Sequence, residues 1–253
     1  MYTDHRERSE QQEAAENEYF ADAVQMARKF VGTALVIVAV PQPLREDAPW
    51  AIDKIRRLLT PDNTFRYIDR HAAAWDFFDA SFGFETKRDF QKEVVKFGNR
   101  RGILELHIHD DGAVQVIAEL GNIAGDDGRA VSHHPVGKPS HVRNVDVEFV
   151  LGQAIGVIDR INEQEPRGDI QLYARLVHEG SELIQIRRMH AFGDLIMGAD
   201  VTEPIAIPRT VIGRLSAQRD EIDVRKCLYR MASDLVNQSQ IRFPQYISAP
   251  DID

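Results

Sequence analysis

Cysteine is almost missing from this chain, which has Cys227 alone among 253 residues. No internal disulfide can form, so burial must hold the fold and an oxidising compartment is not implied. Long apolar runs are missing too. The longest, Ala34 to Val40, falls far short of the ~20 residues that cross a bilayer. Residues Met1 to Gln12 are charged and have no apolar stretch, so no secretory signal is expected, the cytoplasm is the expected compartment and no membrane partner is expected. An excess of positive charge is also absent. A formal net charge of −9 works against general affinity for phosphate backbones, which needs clustered Lys and Arg. No internal repeat is visible. What remains is a globular composition, 43% hydrophobic and 28% charged, large enough to bury a core without staples.

Ser9 with Gln12 resembles a capping box, and Tyr19, Ala23, Met26, Ala27 and Phe30 follow at helical spacing up to Gly32. A first helix is therefore predicted over 10–31. Thr33 to Val40, β-branched and continuous, reads as a buried central strand ended by Pro41 and Pro43. Asp47 and Pro49 open a second helix over 48–59, and Thr60-Pro61 stops it. Residues 62–90 concentrate aromatics, among them Phe65, Tyr67, Trp75, Phe77, Phe78, Phe82, Phe84 and Phe90. Such a cluster fills a core or covers a sheet, and a pocket lining is the alternative.

Glu93 to Phe97 should join the two strands that follow in a three-stranded meander. Asn122 to Asn144, rich in Gly, Pro and Asp, reads as a long loop, either functional or disordered. A third helix over 145–163 starts at Asn144 or Asp146, and its Gly152 and Gly156 allow close approach of another element. Ile170 to Leu176 alternates as a strand, turned by His178 to Ser181, with Leu183 to Met189 returning beside it. Val201 to Pro208 is a shorter extended piece. Asp220 or Asp223 opens a last helix over 221–237, with Val224, Cys227, Leu228, Met231 and Leu235 inward. Cys227 then reads as a buried, inert thiol. Residues 245–253 are expected as a loose tail.

These elements predict one α+β domain over 1–253, the 122–144 loop being the one place for a subdivision. The sheet should be mixed or mainly antiparallel, with about four helices packed mostly on one face. The strand at 33–40 has no hairpin partner and must pair out of sequence.

One segment carries more than the rest. Leu104, Leu106 and Ile108 alternate with Glu105, His107 and His109. Asp110-Asp111-Gly112 breaks the run, and Val114, Val116 and Ala118 resume a period of two, the pattern of a half-buried hairpin with a glycine-closed turn. The polar residues occupy the side where a solvated strand face belongs. The chemical alternative is a divalent metal site, because residues two apart on a strand point the same way. His107, His109 and Asp110 would hold Zn, Mn or Fe together with His133, His134 and His141 of the long loop, as in a metal-dependent hydrolase or nuclease. The spacing matches no zinc signature.

A local basic segment runs through Lys87, Arg88, Lys92, Lys96, Arg100 and Arg101. It reads first as a solvated face, then as an anion or nucleic-acid contact, then as a partner interface. Ser181 lacks a nucleophile elbow, and the glycines from Gly121 to Gly128 lack the Lys-Ser/Thr of a phosphate loop.

The order of elements resembles the region that follows the Schlafen/Alba-type DNA-binding module in some bacterial proteins. The matching pieces are the charged first helix leading into Ala34-Leu35-Val36-Ile37-Val38-Ala39-Val40-Pro41, the hairpin with Asp110-Asp111-Gly112-Ala113-Val114, and a helix rich in Ile and Val. The strand Gln171 to Leu176, the extended Glu203-Pro204-Ile205-Ala206-Ile207-Pro208 and a closing helix follow. The DNA-binding module itself is not apparent. The resemblance implies an accessory, sensing or oligomerisation region of a bacterial regulatory or defence protein. The expectation is thus a non-catalytic protein with a protein partner or self-association and no cofactor.

Overall fold

A seven-stranded antiparallel sheet organises the chain, in the order β2-β3-β4-β5-β1-β7-β9. The computed structural model describes residues 2–44, 50–68, 77–78, 84–99, 102–121, 138–164, 168–188 and 202–250. The strands are β1 (Ala34–Gln42), β2 (Phe84–Asp89), β3 (Lys92–Asn99), β4 (Gly102–His109), β5 (Val114–Glu119), β7 (Asp169–Val177) and β9 (Val211–Leu215). The short β6 (His141–Arg143) and β8 (Gln185–Arg187) form a separate parallel pair. The helices are α1 (Tyr2–Ala27), α2 (Ile52–Leu58), α3 (Pro61–Thr64), α4 (Asn144–Gln164) and α5 (Glu221–Asn237).

β1 is central because nothing in it needs water. From Ala34 to Pro41 every residue is buried, and Ile37 faces Val116 on one side and Ala174 on the other. Pairing is out of sequence, as a strand without a hairpin turn requires. Period-two alternation then divides the core. Leu35, Ile37, Leu106, Ile108, Val116 and Leu172 join the large cluster with α4 and α5. Ala34, Val36, Val38, Val40, Ile117 and Val177 join a small one with Ala23 and Ala27 of α1. Helices α4 and α5, from the regions expected at 145–163 and 221–237, thus share one face. Among the described residues the first helix is the one helix on the other face.

α4 is buried from Asn144 to Asp159, between the sheet and the elements outside it. A Cβ on Gly156 would stand 2.3 Å from the Asn63 carbonyl oxygen, so its glycine lets α3 lie against the helix. α5 opens with a reciprocal cap. Asp220 accepts from the Asp223 N–H at 2.8 Å, and Asp223 accepts from the Asp220 N–H.

Several expectations are corrected. The meander has four strands, because β2 precedes it. Leu183 to Met189 does not return beside β7. Its β8 pairs with β6, and β9 takes the place beside β7. The segment expected as a loose tail is docked as far as it is described: Ile247 is buried, and Tyr246 stacks on Phe149 at 5.3 Å between ring centroids. The aromatics divide as well. Phe65, Tyr67, Phe77 and Phe78 enter the core, whereas Phe90 is 97% exposed. Trp75 and Phe82 lie outside the described residues. The 122–144 loop is described only from 138.

Candidate functional site

The polar side of the β4–β5 hairpin is not a wet surface. α1 lies over it, leaving His107 2% exposed and Gln115 fully buried. Glu105, His107 and His109 alternate along β4 and so project together toward the helix. Gly112, at φ +92°, closes the turn in the left-handed region.

His109 and Asp111 are taken up in holding α1. Gln115 Nε2 donates to the Tyr19 carbonyl at 2.8 Å and to Asp22 at 3.3 Å. Its Oε1 is therefore the acceptor facing His109 Nε2, 2.9 Å away, which places a hydrogen on that ring nitrogen. The Tyr19 ring meets the His109 ring edge-on, with centroids 4.7 Å apart, and its hydroxyl donates to Asp111. Burial holds the His109 imidazole below its ordinary pKa, favouring the neutral ring. At the other end of the contact, Glu16 of α1 accepts from Gln42 at 2.8 Å and from the Tyr173 hydroxyl.

His107 Nε2 donates to Glu105 Oε2 at 3.1 Å, and Lys96 reaches Glu105 Oε1 at 2.6 Å. The His107 hydrogen bond and then the lysine pull the Glu105 carboxyl down to about 2. His107 Nδ1 is buried without a hydrogen-bond partner. Asp110 is buried and receives Arg88 in a two-pronged contact, one arm at 2.8 Å.

The residues considered for a metal do not come together as a described set. His107 and His109 are on β4, Asp110 is in its turn, and His141 is in β6 of the other sheet. His133 and His134 lie outside the described residues. Among the described residues no group of three or more His, Cys, Asp or Glu could hold a metal ion.

The basic segment also divides. Arg88 is paired with Asp110 and lies 3.4 Å from Glu93, Lys92 is 3.5 Å from Asp22, and Lys96 is bound to Glu105. Lys87 is exposed on the outer strand β2. Arg100 and Arg101 lie outside the described residues. The β3 strand still separates Lys92 from Asn99 by about 24 Å, at ~3.4 Å per residue. Among the described residues positive charge is not pooled there.

Two polar clusters escape a linear reading. Asp159 of α4 accepts from the Tyr67 hydroxyl at 2.5 Å and from Arg219 at 2.6 and 2.8 Å. They line a cleft of about 290 Å³ with Arg66, Asn162 and Glu163. Burial, then the neighbouring carboxylate, pushes the Tyr67 phenol well above its usual range, so it stays a donor. Each of these contacts fastens the 65–68 turn or the start of α5 to α4, which makes the cluster a brace.

The second cluster centres on Glu148, which accepts from the Gln245 and Tyr246 N–H groups at 2.8 and 2.6 Å and from Asn144 at 3.1 Å. Burial raises its carboxyl to about 7 despite those bonds. Burial likewise raises the Cys227 thiol, which fits an unreactive side chain. Sequence offered one signal for Glu148. Apolar residues at 145, 147, 149, 150 and 151 are too dense for a one-faced helix, so polar residues among them need internal partners.

Compared with known family models, curated proteins and solved structures, the chain matches none. Among the described residues no helix is long and apolar enough to cross a membrane.

Proposed function

We infer that this chain is a non-catalytic interaction or regulatory protein, working in the cytoplasm as an accessory part of a bacterial regulatory or defence system. One observation carries the reading. Among the described residues, the hairpin side chains of the metal reading form part of a seat for a helix: His109 meets Gln115 and Tyr19 under α1, while His107 bonds Glu105 and Asp110 holds Arg88 in the strands beneath. A seat that recognises its helix through Tyr19–Asp111, Gln115–Asp22 and Glu16–Tyr173 is selective by hydrogen bonding, and a helix in a groove is a common mode of partner recognition. The apolar contribution of α1, Ala23 and Ala27 buried with Tyr19, Phe20, Val24 and Met26 only partly so, is smaller than that of the opposite face and suits a contact that is reversible.

The test uses protein purified without a histidine tag. Elemental analysis is expected to give less than a tenth of an equivalent of Zn, Mn or Fe. The double variant His107→Ala/His109→Ala is expected to show faster hydrogen exchange in α1. Stoichiometric metal that disappears in this variant would overturn the reading in favour of a metal-dependent hydrolase or nuclease.

A further inference from the structure

The tip of the β2–β3 hairpin contradicts ordinary turn chemistry. Asp89 pairs with Lys92, leaving Phe90 and Gln91 as a two-residue loop. Phe90 opens that loop at φ +54°, the position where glycine is the usual occupant, and its ring is 97% exposed. A bulky residue in the left-handed region is strained, and exposure of an aromatic ring to water adds a second cost. Among the described residues nothing covers the ring. The base is meanwhile held firmly: Arg88 grips Asp110, and the Asp110 N–H donates to the Gln91 carbonyl at 2.8 Å. The ring is presented on a stiff support.

At the opposite edge of the same sheet lies an open groove of about 750 Å³ between the 203–212 segment and α5. Ile205 and Val211 form its floor, and Ile207 and Ile212 stand on its walls 79% and 57% exposed. Phe90 and Ile207 are the two most exposed large apolar side chains among the described residues. The charges around them correspond. Lys87 and Asp89, two apart and both exposed on β2, precede the ring, while Glu203 and Asp234 with Arg209 and Arg230 rim the groove. Among the described residues none of these six makes an ion pair within the chain, so all are available to a partner.

We propose that Phe90 of one copy inserts into the Ile205–Ile207–Ile212 groove of a second copy, so that the chain associates head to tail. Lys87 then meets the groove's carboxylates, and Asp89 its guanidinium groups. Knob and groove are different surfaces of one molecule, so the contact is heterologous and propagates into a ring or an open chain. A bilayer is a poorer occupant, since Asp89, Glu93, Asp110 and Asp111 offset Lys87, Arg88 and Lys92 at the same end of the sheet and leave no excess positive charge for anionic headgroups. The same carboxylates disfavour a nucleic-acid strand. The association uses neither α1 nor its seat and is independent of the function proposed above.

Sedimentation equilibrium across a concentration series tests it. The wild type should rise with concentration from 28.7 kDa to at least twice that mass. Phe90→Ser and Ile207→Asp should each stay at the monomer mass. An equimolar mixture of the two should form a dimer and stop there, because one intact knob meets one intact groove and both remaining surfaces are blocked. Folding of the knob variant is checked independently: Phe90→Gly relieves the turn and should raise the thermal midpoint by roughly 2–4 °C. A wild type that stays monomeric to ~1 mM overturns the proposal. So does a mixture that fails to dimerise, or Phe90-dependent binding to anionic vesicles or an oligonucleotide in place of self-association.

Discussion

The two faces of the seven-stranded sheet are buried by different physics. Beneath α4 and α5 lie Leu35, Ile37, Leu104, Leu106, Ile108 and Leu172, met by Phe149, Leu151, Leu228 and Leu235. Removal of such surface from water contributes about 1.5–3 kcal/mol for each large side chain. Beneath α1 the apolar cluster is smaller, with Tyr19, Phe20, Val24 and Met26 only partly buried, and specificity comes largely from hydrogen bonds around Gln115, His109, Asp111 and Glu16. Hydrogen bonds exchange with water at a small net gain, whereas apolar burial does not. The α4 face should therefore set global stability, and the α1 face should set the stability of one helix.

The largest effect that would break this contrast is at Ile37. Ile37→Asp is expected to yield no soluble protein, and Ile37→Ala to lose about 3 kcal/mol in urea denaturation. Val38→Ala, one residue along and facing α1, should lose roughly half as much. Equal losses at 37 and 38 would mean that α1 closes a second full core.

Next come two glutamates with opposite pH signatures. Glu148 has a raised folded-state pKa of about 7 against an ordinary 4.5, so the folded protein binds the extra proton between those values. Stability should fall as pH rises from 4.5 through 7, by on the order of 3 kcal/mol, and Glu148→Gln should flatten the slope. Glu105 is depressed to about 2, so its contribution is complete above its ordinary 4.5 and is lost as pH falls through 2. That loss should be about 1–2 kcal/mol after solvent screening and absent in Glu105→Gln. Urea midpoints from pH 2 to 8 give both slopes, and a single slope shared by the two variants would dissolve the distinction.

The smallest effect sharpens the contrast most. Tyr19→Phe removes one hydrogen bond to Asp111 and should loosen α1 by about 1 kcal/mol. Amides of residues 16–27 should then exchange about fivefold faster, while those of β4 and β5 keep the wild-type rate. Uniform acceleration would show that α1 and the sheet open as one unit.

Much of this was legible in the residues themselves. The β1 strand announces itself through β-branched continuity, and the hairpin through its alternation and Asp110-Asp111-Gly112. The last helix does so through the Asp220–Asp223 pair. Less legible was β9, where Gly213 and Arg214 interrupt the apolar alternation. The polar face of β4 was read correctly as polar and incorrectly as wet. A period of two tells which residues share a side, but the cover on that side arrives from α1, about ninety residues earlier in sequence between Tyr19 and Asp111. Phe90 was grouped with the core aromatics because composition cannot see a two-residue loop. Glu148 resembles a surface residue until the helix around it is buried on every side.

Residue order alone dictated the elements and the side chains each would turn together, because backbone periodicity is a local property. It also determined that no disulfide would hold them. Which polar groups would meet partners was set by the packing of the folded chain, since pairing depends on contacts between residues far apart in it. That is why His109 ends under a helix, His107 on Glu105 of its own strand, and Glu148 as an anchor for the carboxyl-terminal segment.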